Sequence, residues 1–179
     1  LAILAITTCT LIFLFTGSVV LPLKSLVMNV LTLGASFGIL VVVFEWGRGL
    51  PGLESTQPIL LAATAFGLST DYAIFLFSRI KEGRDRGLPT REAVADGLER
   101  TGRLVTAAAL LFCVAIGTFA TSGISFIQEL GVGTAVAVAL DATIIRALLV
   151  PSLMALLGEW NWWAPRPLQR LHARLGLAD

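Results

Sequence analysis

The chain has 179 residues, 56% of them hydrophobic and 14% charged, with a net charge of +1. A soluble domain carries roughly 25% charged residues, so these proportions exclude an ordinary water-soluble globule, and the near-neutral charge argues against a nucleic-acid partner. The two cysteines, Cys9 and Cys113, lie inside apolar runs, where free Cys behaves as a small hydrophobe, and predict neither a disulfide nor a metal site; no cofactor is expected.

In chain order, residues 1–23, 25–44 and 104–128 contain no Asp, Glu, Lys or Arg. Runs of that length exceed the ~20 apolar residues that cross ~30 Å of hydrocarbon. The chain opens at Leu1 inside an apolar run without a basic flank, unlike a signal peptide or a natural start, and is expected to be a fragment cut from a larger protein. Apolar length predicts five spanning helices at 1–20, 24–45, 58–79, 104–122 and 130–157, an all-α polytopic transmembrane bundle.

The second predicted helix carries Ser25, Asn29, Thr32 and Ser36 at spacings of four, three and four. Such a stripe commonly joins helices, at about 1 kcal/mol per residue, and is also a candidate relay. On the third, Thr64, Gly67, Asp71 and Ser78 follow helical spacing and are expected to face other helices rather than lipid. Asp71 lies 13 residues into this helix, about 20 Å along its axis. A carboxylate at that depth is costly and is a functional hypothesis by default. Burial is expected to favour its protonated form, and Tyr72 next to it offers a hydroxyl that can donate or accept.

The segment 80–103 is expected to be a loop holding a short amphipathic helix on the membrane face, started by Pro89-Thr90-Arg91-Glu92 with Thr90 as N-cap. The fourth helix offers Cys113 and Gly117 for packing. The fifth carries Gly133, Ala137 and Asp141, a face that permits close approach, with Asp141 either a relay group or a packing group. Arg146, five residues on, falls about 140° around an α-helix, so it is expected to snorkel or to pair with another helix. The tail 158–179 places Trp160, Trp162 and Trp163 where an aromatic belt would lie, followed by an interfacial helix with Leu168, Leu171 and Leu175 and a solvated His172. Eleven Lys and Arg residues fall on one side of these spans, Arg48 alone on the other, and Arg146 inside the fifth helix. The positive-inside rule then predicts a cytoplasmic C-terminus.

Gly67-Leu68-Ser69-Thr70-Asp71-Tyr72 followed by Phe75-Leu76-Phe77-Ser78-Arg79-Ile80 resembles the tenth transmembrane helix of the MmpL-type transporters, in the resistance-nodulation-division (RND) superfamily. Arg91-Glu92-Ala93-Val94, Thr101-Gly102-Arg103, Thr106-Ala107-Ala108-Ala109, Leu140-Asp141-Ala142-Thr143, Arg146, Leu149-Val150-Pro151 and Asn161-Trp162-Trp163 continue the likeness along the whole chain. The resemblance implies helices eight to twelve of a twelve-helix bacterial inner-membrane exporter of lipids or other hydrophobic compounds. Its implied partners are the N-terminal half and extracytoplasmic domains of the same transporter, protons and membrane lipids. It further implies that Asp71 and Tyr72 are one of two Asp-Tyr pairs in a proton relay, with Asp141, Thr64, Ser78 and Asn29 as secondary relay or packing positions. Two other readings compete: a non-transporting bundle similar to the sterol-sensing modules, and an intramembrane aspartyl protease in which Asp71 and Asp141 share a proton.

Overall fold

The structure, a computed structural model, describes residues 2–47, 52–53 and 55–174. Arg48, used above for orientation, and Leu175 lie outside the described residues, as do the side chains of Leu171 and Arg174. Helix α1 spans Ala2–Thr16 and stops at Gly17, whose φ of 69° is open to a residue without Cβ. Helix α2 runs Val20–Leu40 and continues through wide π turns at Val41–Trp46. Helix α3 is Gln57–Asp85, and α4 is Thr90–Gly117 with a closing 3-10 turn at Thr118–Thr121. Helix α5, Ser125–Leu140, passes through π turns at Asp141–Leu149 into α6, Val150–Leu157, and a 3-10 turn at Gly158–Trp162. Helix α7, Arg166–Arg174, closes the order, and no strand occurs among the described residues.

Four of these rods, Val20–Trp46, Gln57–Asp85, Thr90–Thr121 and Ser125–Trp162, are long and apolar enough to cross a membrane, while α1 is a shorter apolar helix. The all-α membrane bundle expected from apolar length is therefore the fold. Many large apolar side chains point outward, among them Ile3, Leu31, Leu110, Leu111, Val114 and Leu156, as a hydrocarbon solvent permits and water does not.

The segment 80–103 departs from expectation. Helix α3 continues to Asp85, the chain turns through Gly87 at φ 88° with Leu88 N–H bonded to the Gly83 carbonyl, and α4 starts at Thr90 and runs on without a break. The amphipathic piece is the first part of α4 rather than a separate interfacial helix. Nothing between Thr90 and Gly117 removes a backbone donor, since Pro89 precedes the helix. Two glycines let this part lie against α3. A Cβ at Gly83 would stand 3.2 Å from Ala93 Cβ, and one at Gly97 would stand 2.6 Å from Ile80 Cγ1. Thr90 is not a cap: Pro89 takes the cap position, and the Thr90 hydroxyl donates to Glu159 Oε1 at 2.7 Å.

The turns between α1 and α2 and between α3 and α4, together with residues 158–163, meet at one end of the bundle. There Val19 N–H bonds the Trp163 carbonyl, Arg84 pairs with Glu159 at 2.5 Å, and Trp162 donates to Thr90 Oγ1 at 3.3 Å. Trp162 thus packs inward while Trp160 and Trp163 stay exposed. His172, expected to be solvated, is buried: its Nε2 lies 3.0 Å from the Leu14 carbonyl and its ring meets Phe13 edge to face. The absence of a Cβ at Gly17 makes room for that ring, which a side-chain carbon would approach to 3.2 Å.

The buried apolar residues form two clusters at different depths. One gathers Leu40, Phe44, Leu61, Ala65 and Ala137; the other includes Met28, Ala73, Leu76, Phe77, Ile145 and Met154. On α2, α3 and the α5 rod alike, polar residues occupy the positions between them: Asn29, Thr32 and Ser36; Ser69 and Thr70; Asp141. The fold therefore sandwiches one polar layer between two greasy ones.

Candidate functional site

The polar layer is organised by the π turns at Asp141–Leu149. In an α-helix Arg146 would point about 140° away from Asp141. Turns closed by i→i+5 bonds bring residues five apart roughly into line, and Arg146 Nε donates to Asp141 Oδ2 at 2.6 Å. The expectation that Arg146 would snorkel or pair with another helix is thus corrected, because it assumed ordinary α winding. Pro151, just beyond these turns, supplies a local cause: its ring clashes with the carbonyl four residues back, at Ala147, which lies within them.

Both partners are 6% exposed. A buried ion pair survives only where further hydrogen bonds fill the remaining donors and lone pairs, and α3 provides them. Ser69 Oγ lies 3.1 Å from Asp141 Oδ1 and 2.6 Å from Asn29 Oδ1, and accepts from Arg146 at 3.0 Å. Arg146 also donates to the Ser69 backbone carbonyl. Ser69 carries a single hydroxyl proton, so it can donate to Asn29 or to Asp141 but not to both at once. Beside this cluster, Thr8 and Thr70 join hydroxyls at 2.8 Å, tying α1 to α3. The small face of α5 lets α2 approach, since a Cβ at Gly133 would stand 2.7 Å from Leu40 Cδ1.

Asp71 sits elsewhere. It is exposed on the surface of the bundle with Thr64 and Gly67, and it makes no hydrogen bond or ion pair with the described residues. Their stripe therefore faces away from the described helices. The cause is the opposite face of α3: Leu61, Ala65, Ser69, Ala73 and Leu76 fill the interior, which turns Thr64, Gly67 and Asp71 outward. Thr64 and Ser78 bond carbonyls of their own helix, at Leu60 and Phe75. Tyr72 links the two sites. It is half-buried beside Asp71, and Arg146 Cζ stands 5.4 Å over its ring centroid, within reach of a cation–π attraction.

Of the six residues picked from sequence, the structure joins Asp141 and Asn29 through Ser69, and leaves Asp71, Thr64 and Ser78 outside that network. Ser69 and Arg146 complete this network and are not among the residues picked from sequence. The signal available for Arg146 was a guanidinium among apolar residues, which demands a buried partner. Asp71 lies outside the network that engages both Asp141 oxygens, through Ser69 and Arg146.

Comparison with known proteins adds the family context. A family model described as the MMPL family matches residues 1–175. A membrane protein of Streptomyces coelicolor is 49% identical over 177 residues, which cover 94% of this chain and 25% of that protein. The trehalose monomycolate exporter MmpL3 of Mycolicibacterium smegmatis is 47% identical over 184 residues, covering 99% of this chain and 18% of the exporter. The mycolic acid-containing lipids exporter MmpL11 of the same organism is 47% identical over 161 residues, covering 86% and 17%. The chain thus spans a quarter or less of the length of these relatives.

Proposed function

The chain belongs to the MMPL family, and from that premise we propose that it is the second-half membrane bundle of a proton-driven exporter of lipids or related hydrophobic compounds. Asp71 and Tyr72 are its proton relay. The relatives' names support a lipid cargo, being exporters of trehalose monomycolate and of mycolic acid-containing lipids. The basic end of the bundle, with Arg79, Lys81, Arg84, Arg86, Arg91, Arg100 and Arg103 around the α3–α4 turn, is its cytoplasmic face.

One observation carries the relay: a carboxylate stands midway along the 29-residue helix α3, exposed on an uncovered face and adjacent to a tyrosine that reaches the buried Asp141–Arg146 pair. In the whole transporter the N-terminal half packs on that face and removes Asp71 from lipid. Protonation then neutralises the carboxylate at a site where charge costs several kcal/mol, enough to bias a two-state bundle. The Asp141–Arg146 pair acts as the fixed strut against which the change is felt.

The test is export by the full-length transporter carrying Asp71→Asn, with folding and membrane level checked. A folded variant that no longer exports is the expected outcome. Export at the parental rate would overturn the relay and leave a structural role, such as that of a non-transporting scaffold bundle.

A further inference from the structure

Lys24 has no role in the relay as stated, yet its placement is unusual. It lies in the first turns of α2, is 8% exposed, and donates to Asn161 Oδ1 at 3.1 Å without an ion-pair partner among the described residues. An ammonium carries three donors, and burying one without a carboxylate is costly unless polar groups or water take up the others. The remaining donors face a cavity of about 10 Å³ whose lining includes Lys24, Asn29, Ser69, Asp141 and Arg146. A second cavity of about 10 Å³ is lined by Thr32, Ser69, Tyr72 and Asp141 among others. The two share Ser69 and Asp141, so together they reach from Tyr72 to Lys24.

The Lys24 cavity is large enough for a single water and, with Lys24, Asn29 and Asp141 on its lining, offers the polar groups that a buried water needs, whereas the inner surface of the cavity beside Tyr72 is apolar and holds none. Independent support comes from Asn29, 3% exposed, whose Nδ2 has no hydrogen-bond partner. Turning the amide over leaves its oxygen in the same position, so one end of this side chain is orphaned either way. Buried polar atoms are rarely left so, and Asn29 lines the cavity that Lys24 closes.

We propose that the Lys24 cavity holds ordered water and forms the last stretch of the proton path toward the basic end of the bundle, with Lys24 as its last protein group. The proposal rests on the reading of Asp71 and Tyr72 as the relay. The step needs no other reactant: the amine form of Lys24 takes a proton from the adjoining water, and the ammonium releases one toward the basic end. One O–H bond breaks and one N–H bond forms, then the reverse. Besides Lys24, the titratable groups lining its cavity are Asp141 and Arg146, both from the π turns; α3 offers Ser69, and the 3-10 turn contributes Asn161.

Two measurements on the full-length transporter in membranes test this. Hydroxyl-radical labelling generated by X-ray pulses oxidises buried side chains that touch ordered water. Met28 and Met154 belong to the same apolar cluster, but Met28 lines the Lys24 cavity and Met154 is fully buried and lines neither cavity. Labelling of Met28 at least several-fold above Met154 is expected; equal, minimal labelling means a dry cavity and overturns the proposal, whatever any variant does. The second measurement compares Lys24→Arg with Lys24→Met. Arginine keeps the charge but does not release a proton. Both variants are expected to lower export tenfold or more at normal membrane level, and to flatten its dependence on cytoplasmic pH. Parental export by Lys24→Arg would show that only the positive charge matters and would sink the proton role. Asp71→Asn run in parallel separates the two readings: normal export there removes the relay itself, while Met28 still reports on the water.

Discussion

Arg146 and Asp141 show how far one residue's consequence depends on its partner. Removing the guanidinium by Arg146→Met leaves a carboxylate buried without compensation, which costs about 3–5 kcal/mol; replacing both partners by apolar residues of similar volume is far milder and can be neutral. Arg146→Met should therefore lower the unfolding free energy in detergent by that amount, and Asp141→Leu combined with Arg146→Met should recover much of the loss. A double variant whose cost equals the sum of the singles would show that the pair does not act as a unit. The chemistry of this site was half legible in the sequence. Asp71, Tyr72 and Asp141 stand out as polar groups at membrane depth, but the pairing of Asp141 with Arg146 was hidden by the assumption of uniform winding. Asn29 was legible as part of a polar stripe, whereas its bond to Ser69, 40 residues away, could not be read from spacing on one helix.

Helix contacts in this bundle are set by close approach at a few glycines. A Cβ at Gly131 would stand 2.6 Å from Phe119 Cβ, 3.0 Å from the Ile116 carbonyl oxygen and 3.1 Å from the Ala120 nitrogen. Two of those neighbours are backbone atoms, which cannot rotate away, so Gly131→Ala must push the start of α5 off the end of α4. We expect a loss of about 1–3 kcal/mol, the usual range for overpacking. Gly102→Ala is the control: nothing lies within 4 Å of its Cβ position, and alanine raises helix propensity by up to about 1 kcal/mol. Unfolding midpoints that rank the two variants the other way would mean that α4 and α5 do not meet as described. The continuous α4 carries a related lesson. Charge marked residues 80–103 as lying outside the hydrocarbon, but charge does not end a helix; a proline within or a positive-φ glycine does, and these occur only at Gly87 and Pro89.

The bundle as a whole is polarised, with its basic residues gathered at the end where the α1–α2 turn, the α3–α4 turn and residues 158–163 interlock. If that end is cytoplasmic, a membrane-impermeant maleimide applied to intact cells should label Thr121→Cys and spare Arg91→Cys in a transporter otherwise free of cysteine. Both positions are exposed, and labelling of Arg91→Cys alone would invert the topology. The sequence by itself determined that the chain is a helical membrane bundle and which end is basic. Those properties follow from apolar length and charge count, which any short window of residues carries within it. Tertiary structure alone decided that Asp71 faces outward while Asp141 is enclosed, that Arg146 turns back to its own helix, and that His172 is buried against α1. Each of these outcomes depends on local helix winding or on neighbours distant in sequence, because burial at a given depth is conferred by whichever helix packs alongside.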